Sequence, residues 1–173
     1  MPITFDDFVA ERLDQLLRYA TALTCDPHLA KDVVQEVLLR AQQRWRHIET
    51  ADQPIAYVRR MVLNEYLSWR RRRANRDVMM AHAKLAELSP SVADSTSHYG
   101  ERQEMLGRIV RLPRRQRAVI VLRYYENLSD AEIAATLGCA EPTVRSHISR
   151  ALATLRAQDV PAVPSKGGLH HAV

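Results

Sequence analysis

The chain has 173 residues, with 25 Lys and Arg against 20 Asp and Glu, so its formal net charge is +5. No segment approaches the roughly 20 apolar residues of a membrane-spanning helix, and the N-terminus lacks the pattern of a signal peptide. The two cysteines, Cys25 and Cys139, form no CxxC pair, which excludes a disulfide scaffold and a cysteine zinc site. We therefore expect a cytoplasmic protein of one ordinary domain or two small ones, without membrane insertion.

The first half of the sequence predicts three helices. Thr4 and Asp7 resemble a capping box, and apolar residues then recur at helical spacing to about Thr24. Asp26 and Pro27 suit an N-cap and a first helical residue, and this second helix is expected to end near Arg46. Pro54 begins a third helix after a polar segment, and its expected buried stripe is Ile55, Val58, Val62, Tyr66 and Trp69.

The helical pattern weakens after residue 75, and Ser, Thr, Asp and Pro cluster between residues 89 and 97. Such a composition is typical of a linker. We predict an all-α fold of two small helical domains, at residues 1–75 and 101–157, joined by a flexible linker at 76–100. Residues 158–173 are expected to form a disordered tail.

The second domain carries a helix-turn-helix pattern. Ser129 and Glu132 form a full capping box, Gly138 can end the short helix in the left-handed conformation, and an amphipathic helix follows from about Glu141. In this motif the second helix lies in the major groove of DNA. Because Val144 and Ile148 point inward, the polar residues left facing outward are Thr143, Arg145, Ser146, His147 and Arg150. The simpler interpretation is a helical hairpin with a solvated polar face.

The first domain concentrates positive charge on its third helix. Arg59, Arg60 and Asn64 occupy the polar face, and the helix then reaches the run Arg70, Arg71, Arg72 and Arg73. Such a surface suits phosphates or a displaced single strand. The nearby aromatic residues Tyr66 and Trp69 could stack on bases, but core packing is the stronger interpretation, because both lie on the buried stripe.

The sequence offers no constellation for catalysis. The seven histidines form neither an HExxH motif nor a cluster with carboxylates, and Gly-rich phosphate loops are missing. We therefore expect a protein that is not an enzyme and that needs no metal and no cofactor.

The two domains together resemble the extracytoplasmic-function (ECF) sigma factors of bacterial RNA polymerase, which keep only conserved regions two and four of the larger family. The resemblance lies in three segments of this chain. They are DVVQEVLLR at 32–40, PIAYVRRMVLNEYLSWRRRR at 54–73, and the stretch from Leu112 to Arg156, which opens LPRRQRAVIVLRYYENLSDAEIA.

The resemblance implies a role in directing core RNA polymerase to promoters. Region two would bind the clamp of the largest subunit through Asp32, Gln35, Glu36 and Leu39, although simple packing would also explain Leu39. Region four would bind the flap of the second-largest subunit. Many members of the group are held by an anti-sigma factor, so such a factor is a further implied partner.

The resemblance also implies where promoter DNA binds. The loop from Arg46 to Pro54 would capture a flipped base of the minus-ten element, and the open strand would lie on Arg59, Arg60, Asn64, Arg70, Arg71, Arg72 and Arg73. The minus-thirty-five element would be read by Thr143, Arg145, Ser146, His147 and Arg150, with help at phosphates from Arg114, Arg115 and Arg117.

One feature departs from the family pattern. Many members have Gly before the Thr-Val of the recognition helix, where this chain has Glu141 and Pro142. Proline fits a first helical turn, but the carboxylate of Glu141 would repel phosphate unless it accepts a hydrogen bond from a cytosine amine. We therefore expect the promoter preference to differ from that of relatives with Gly.

Two other classes of protein remain open from the sequence. A helix-turn-helix regulator that acts without polymerase would need only residues 129–156, but the all-helical first domain is unlike the α/β receiver of a response regulator. An adaptor that binds only proteins would leave the clustered arginines unexplained.

Overall fold

The computed structural model describes residues 3–80 and 98–158, and within them the side chains of residues 3–68 and 104–157. The described residues are helical and contain no β-strand. The eight helices, in chain order, are α1 (Phe5–Thr24), α2 (Pro27–Gln43), α3 (Trp45–Ile48), α4 (Pro54–Met80), α5 (His98–Ile109), α6 (Arg114–Ile120, continued by a π-helical turn at Val121–Tyr125), α7 (Asp130–Leu137) and α8 (Glu141–Gln158).

Most helix ends form where local chemistry predicts them. The Asp26 carboxylate accepts from the backbone N–H groups of His28 and Leu29 at 2.8 and 3.2 Å, and Pro27 is the first residue of α2. The Ser129 hydroxyl accepts from the N–H of Glu132, whose carboxylate accepts from the N–H of Ser129 in return. Both caps satisfy backbone donors that a helix start leaves unpaired. The predicted caps are confirmed.

The end of the second predicted helix differs from the expectation. α2 ends at Gln43, and a separate four-residue helix, α3, begins at Trp45. The indole Nε1 of Trp45 donates to the carbonyl oxygen of Ile3 at 3.0 Å, and its ring packs against Phe5 and Phe8. Trp45 is therefore held by the N-terminal segment, a long-range contact that helical periodicity does not reveal.

The first domain is a bundle of α1, α2 and α4, whose apolar faces meet in a core that includes Leu16, Tyr19, Leu23, Val37 and Val62. The predicted stripe on α4 is buried at Val58, Val62 and Tyr66 and half-buried at Ile55, whereas the side chain of Trp69 lies outside the described residues. α4 continues to Met80 and α5 begins at His98, so helices extend into both ends of the predicted linker.

The second domain packs α6, α7 and α8 around Ala118, Val119, Ile133 and Val144. The sequence predicts two separate domains, yet one continuous cluster of buried side chains runs from the first domain into the second. The two domains therefore share packing in this structure. The predicted linker from residue 81 to 97 and the predicted tail from residue 159 lie outside the described residues.

Two glycines offer a matched test of the turn in the helix-turn-helix. Gly138 has φ +64° at the end of α7, whereas Gly107 lies within α5, and a Cβ would meet nothing within 4 Å at either position. We expect Gly138→Ala to lower the free energy of unfolding by about 1 kcal/mol, because an L side chain is strained at positive φ. Gly107→Ala should raise it by about 0.4 to 1 kcal/mol. Urea denaturation measures both, and equal effects would contradict the assigned turn.

Candidate nucleic-acid interface

The face of α8 that the sequence assigns to DNA forms as expected in its outline. Val144 is fully buried, which turns Thr143, Arg145 and Arg150 toward solvent, while Ser146 and His147 are half-buried. The short helix α7 and the turn at Gly138 hold the start of α8 at the surface. We call Thr143, Arg145, Ser146, His147 and Arg150 the recognition face.

The imidazole of His147 is uncharged at neutral pH. Burial lowers the pKa of His147 below its ordinary value, and the positive charges of Arg115 and Arg150 lower it further. Its Nδ1 is buried and has no hydrogen-bond partner among the described residues. His147 therefore contributes a neutral hydrogen-bonding group to the recognition face, and Arg145 and Arg150 contribute the charge.

Arg145 lies between two carboxylates. Its guanidinium is 3.4 Å from Glu141, one helical turn earlier, and 3.9 Å from Asp130 at the start of α7. Asp130 also lies 3.5 Å from the guanidinium of Arg123. The sequence leaves open whether Glu141 repels phosphate or accepts from a base. In the structure its carboxylate pairs with Arg145, which partly neutralises both groups before DNA arrives.

The three arginines assigned to phosphate contacts on α6 have different surroundings. Arg115 is exposed. Arg114 donates to the backbone carbonyl of Tyr66 at 2.8 Å, and its guanidinium lies 5.1 Å from the centre of the Tyr66 ring. Arg117 is buried. Only Arg115 therefore has a side chain that faces solvent fully in this arrangement.

Arg117 joins the two domains. Its Nη1 donates to the carbonyl oxygens of Leu23 and Thr24 at 3.1 Å each, at the end of α1. Its Nη2 donates to the carbonyls of Val110 and Leu112 at 2.6 and 3.3 Å, before α6. Cations are favoured at the C-terminal end of a helix, where carbonyls are unpaired. Arg117 is therefore a structural group here, which the sequence interpretation missed.

A signal for this role is present in the sequence. Arg117 precedes Ile120 by three residues and Val121 by four, and such positions share one face of a helix. Both apolar residues are buried. The spacing places Arg117 on the inner face, whereas Arg115 lies off it. Helical position thus distinguishes arginines that look alike as a basic cluster.

The face assigned to the minus-ten strand is divided as well. Arg60 and Asn64 are exposed one turn apart on α4, and Arg46 is exposed beside α3. Arg59 instead forms a short ion pair with Glu126 of the second domain, and its guanidinium lies 5.9 Å from the centre of the Tyr19 ring. Arg70, Arg71, Arg72 and Arg73 lie on α4, but their side chains are outside the described residues.

Burial acts on the groups at this contact. It raises the pKa of Glu126 above its ordinary value, although the guanidinium of Arg59 opposes the shift. Burial, with help from the nearby Glu126 carboxylate, also raises the pKa of Tyr19. The phenol ring of Tyr19 lies 6.1 Å from that of Tyr125. The carboxylate thus loses more by leaving water than Arg59 returns, so the ion pair adds specificity more than net stability.

An open pocket of about 600 Å³ lies where α3 meets the start of α4. Arg46, His47 and Tyr57 line it, and the rings of His47 and Tyr57 meet edge to face at 6.1 Å. The predicted base-capturing segment, from Arg46 to Pro54, begins at this pocket. Aromatic rings and arginine offer stacking surfaces and donors to a nucleobase.

An apolar groove of about 390 Å³ separates α1 and α2. Phe5, Val9 and Leu38 line it together with Gln35 and Leu39, two of the four residues predicted to bind polymerase. The side chain of Leu39 is 53% exposed. The other two, Asp32 and Glu36, are exposed on the same helix, and Glu36 lies 3.6 Å from Arg40. The exposed position of Leu39 favours a binding role over packing.

Two searches of the described ranges give negative results. Within residues 3–80 and 98–158, no group of three or more His, Cys, Asp or Glu is arranged to hold a metal ion. None of the helices in these ranges is long and apolar enough to cross a bilayer.

Comparison with known proteins assigns both domains. The family described as sigma-70 region 2 matches residues 8–76, and the family described as sigma-70, region 4 matches residues 102–155. The chain is 38% identical over 154 residues to the RNA polymerase sigma-E factor of Streptomyces avermitilis, covering 89% of this chain and 84% of that protein. It is 36% identical over 145 residues to the ECF RNA polymerase sigma factor SigL of Mycobacterium tuberculosis, with coverages of 82% and 80%.

A solved structure agrees with these matches. The sigma factor RpoE of Bartonella quintana, determined in complex with the anti-sigma factor NepR, superposes with a TM-score of 0.69 at 28% identity. The alignment covers 88% of this chain and 94% of that one. Fold and matches together define a sigma-70-type transcription initiation factor. The chain belongs to the ECF family of RNA polymerase sigma factors, and its function is to direct transcription initiation at promoters.

The structural role of Arg117 can be separated from a phosphate contact. We expect Arg117→Met to lower the free energy of unfolding by about 2 to 4 kcal/mol, because four carbonyls lose a charged donor. Arg115→Met removes the same charge from an exposed position of α6 and should change stability by less than about 0.5 kcal/mol. Thermal and urea denaturation of both variants provide the test. Equal stabilities would show that Arg117 does not hold the two domains.

Proposed function

We propose that this sigma factor connects core RNA polymerase to a promoter that it reads at two separate elements. The second domain, at residues 101–157, binds the minus-thirty-five duplex through the recognition face. The first domain, at residues 1–75, holds the minus-ten element as it melts. The chain supplies binding and leaves the chemistry to the polymerase, in the cytoplasm, so it is not itself an enzyme.

The observation that carries the proposal is the geometry of α7 and α8. A short capped helix, a left-handed turn at Gly138 and a helix with Val144 buried leave Arg145 and Arg150 exposed one to two turns from the start of α8. Residues at the beginning of a recognition helix are those that reach base edges in the major groove. Arginine there can donate two hydrogen bonds to guanine.

The proposal for the minus-ten element is supported by the exposed polar residues near α3 and α4. Arg60 and Asn64 share one face of α4, and Arg46 borders the pocket that contains His47 and Tyr57. Taking a base out of its stack costs a few kcal/mol, which stacking and hydrogen bonds in such a pocket can offset. We assign Arg70, Arg71, Arg72 and Arg73 to phosphates of the same strand because of their charge.

The polymerase partner is proposed to bind the groove between α1 and α2. An exposed leucine beside exposed Asp32, Gln35 and Glu36 gives this face an apolar centre with a polar rim, the usual anatomy of a protein interface. We assign this face to the clamp of the largest subunit and the second domain to the flap of the second-largest. An anti-sigma factor is a further proposed partner, because the similar RpoE was solved with one.

The test of the proposed function is run-off transcription with bacterial core polymerase on a library of genomic promoters. Purified full-length chain should produce new start sites, each preceded by the same two spaced sequence motifs. DNA binding without new start sites would overturn the sigma assignment of mechanism and favour a regulator that acts without polymerase.

Recognition by α8 gives a prediction with an internal control. We expect Arg145→Ala and Arg150→Ala each to weaken binding to the minus-thirty-five duplex by about 1 to 3 kcal/mol where a bidentate guanine contact is lost. Arg156→Ala removes the same charge from an exposed position in the last turn of α8 and should have a much smaller effect. Fluorescence anisotropy with matched and mismatched duplexes measures the losses. Equal losses in all three variants would indicate charge alone rather than base recognition.

A further inference from the structure

The two DNA elements of the proposed function are far apart. Their names place them about 25 base pairs from each other, which at roughly 3.4 Å per pair is about 85 Å of duplex. A folded body of about 140 residues has a radius of gyration of about 14 Å, so it is roughly 40 Å across. The two domains cannot reach both elements while they remain packed together.

The structure nevertheless packs them together through groups that the proposed function needs elsewhere. Arg59 of the first domain pairs with Glu126 of the second, and Arg114 of the second binds the carbonyl and ring of Tyr66 in the first. Arg117 contacts the end of α1. We call this set of contacts the interdomain seam. Three arginines assigned to DNA are thereby engaged within the protein.

We propose that the interdomain seam is an autoinhibitory contact, in which Glu126 holds Arg59 away from the minus-ten strand until the two domains separate. The inference rests on the proposed function, because it takes Arg59 as a strand contact. A carboxylate and a phosphate compete for the same guanidinium, so DNA and closure exclude each other at this residue. Polymerase and promoter together then shift the chain to the open form.

The character of the seam fits a contact that can open. Contacts between domains within a chain are more polar than permanent interfaces, and domain motion is then the default. Here an ion pair, a cation over the Tyr66 ring and hydrogen bonds to carbonyls make up much of the contact. All of these groups can be hydrated, or bound to phosphate, after opening. Tyr125, which stacks near Tyr19, is already 43% exposed in the closed form.

Energy transfer between two dyes in the full-length chain tests closure directly, without DNA or polymerase. The dyes are attached through Ala10→Cys on α1 and Ala153→Cys on α8, both exposed, after Cys25→Ser and Cys139→Ser. We expect Glu126→Arg to raise the ratio of open to closed chains about tenfold or more, since a paired charge is replaced by repulsion. Arg59→Glu should do the same, and the two together should restore closure.

The control is Glu104→Arg, an identical change of charge at an exposed position of α5. It should leave the transfer at the wild-type level. Circular dichroism of each variant, together with recovery in the swapped double variant, separates opening from unfolding. Transfer in Glu126→Arg that matches the control, or failure of the swap to restore it, would overturn the proposal.

A second measurement links closure to function and keeps the two hypotheses distinct. In wild type, core polymerase and promoter DNA together should lower the transfer, and Glu126→Arg should reach half-maximal transcription at a lower protein concentration than Glu104→Arg. High transfer in an actively transcribing complex would overturn autoinhibition while leaving the sigma function intact. Absence of transcription by wild type would instead refute the proposed function, whatever the transfer shows.

Discussion

One buried guanidinium sets the relation between the two domains. Arg117 donates to two carbonyls at the end of α1 and to two before α6, so a single side chain caps a helix of one domain and anchors the entry to the other. A guanidinium suits this position because it carries five donors in a rigid plane and stays charged at any accessible pH. The shared core and the contacts of Arg59 and Arg114 depend on α6 being held there.

Features that depend on neighbouring residues could be predicted from the sequence. The caps at Asp26 and Ser129, the start of α4 at Pro54 and the left-handed turn at Gly138 all follow from groups within four positions of each other. The fold class followed because the apolar period is helical throughout both domains. The recognition face follows from the burial of Val144, which the same period predicts.

Contacts between residues far apart in the chain could not be predicted in this way. Arg40 pairs with the nearly buried Glu65, 25 positions away, and Arg59 pairs with Glu126, 67 positions away. No periodicity connects such residues, and each alone looks like an ordinary solvated charge. The same reason explains why the sequence presents Arg59 and Arg60 as equivalent. The structure separates them, because only Arg59 faces the second domain.

The use of arginine in both roles has a physical basis. A guanidinium is weakly hydrated for a cation and binds carboxylates, carbonyls, aromatic faces and phosphates with the same planar donors. Exchange of the Glu126 carboxylate for a DNA phosphate would therefore replace one charge-assisted contact by another of similar strength. The raised pKa of Glu126 indicates that burial costs this carboxylate more than Arg59 returns. Release of Glu126 to water consequently recovers hydration, which lowers the cost of separating the domains and lets binding energy at two distant DNA elements drive the opening.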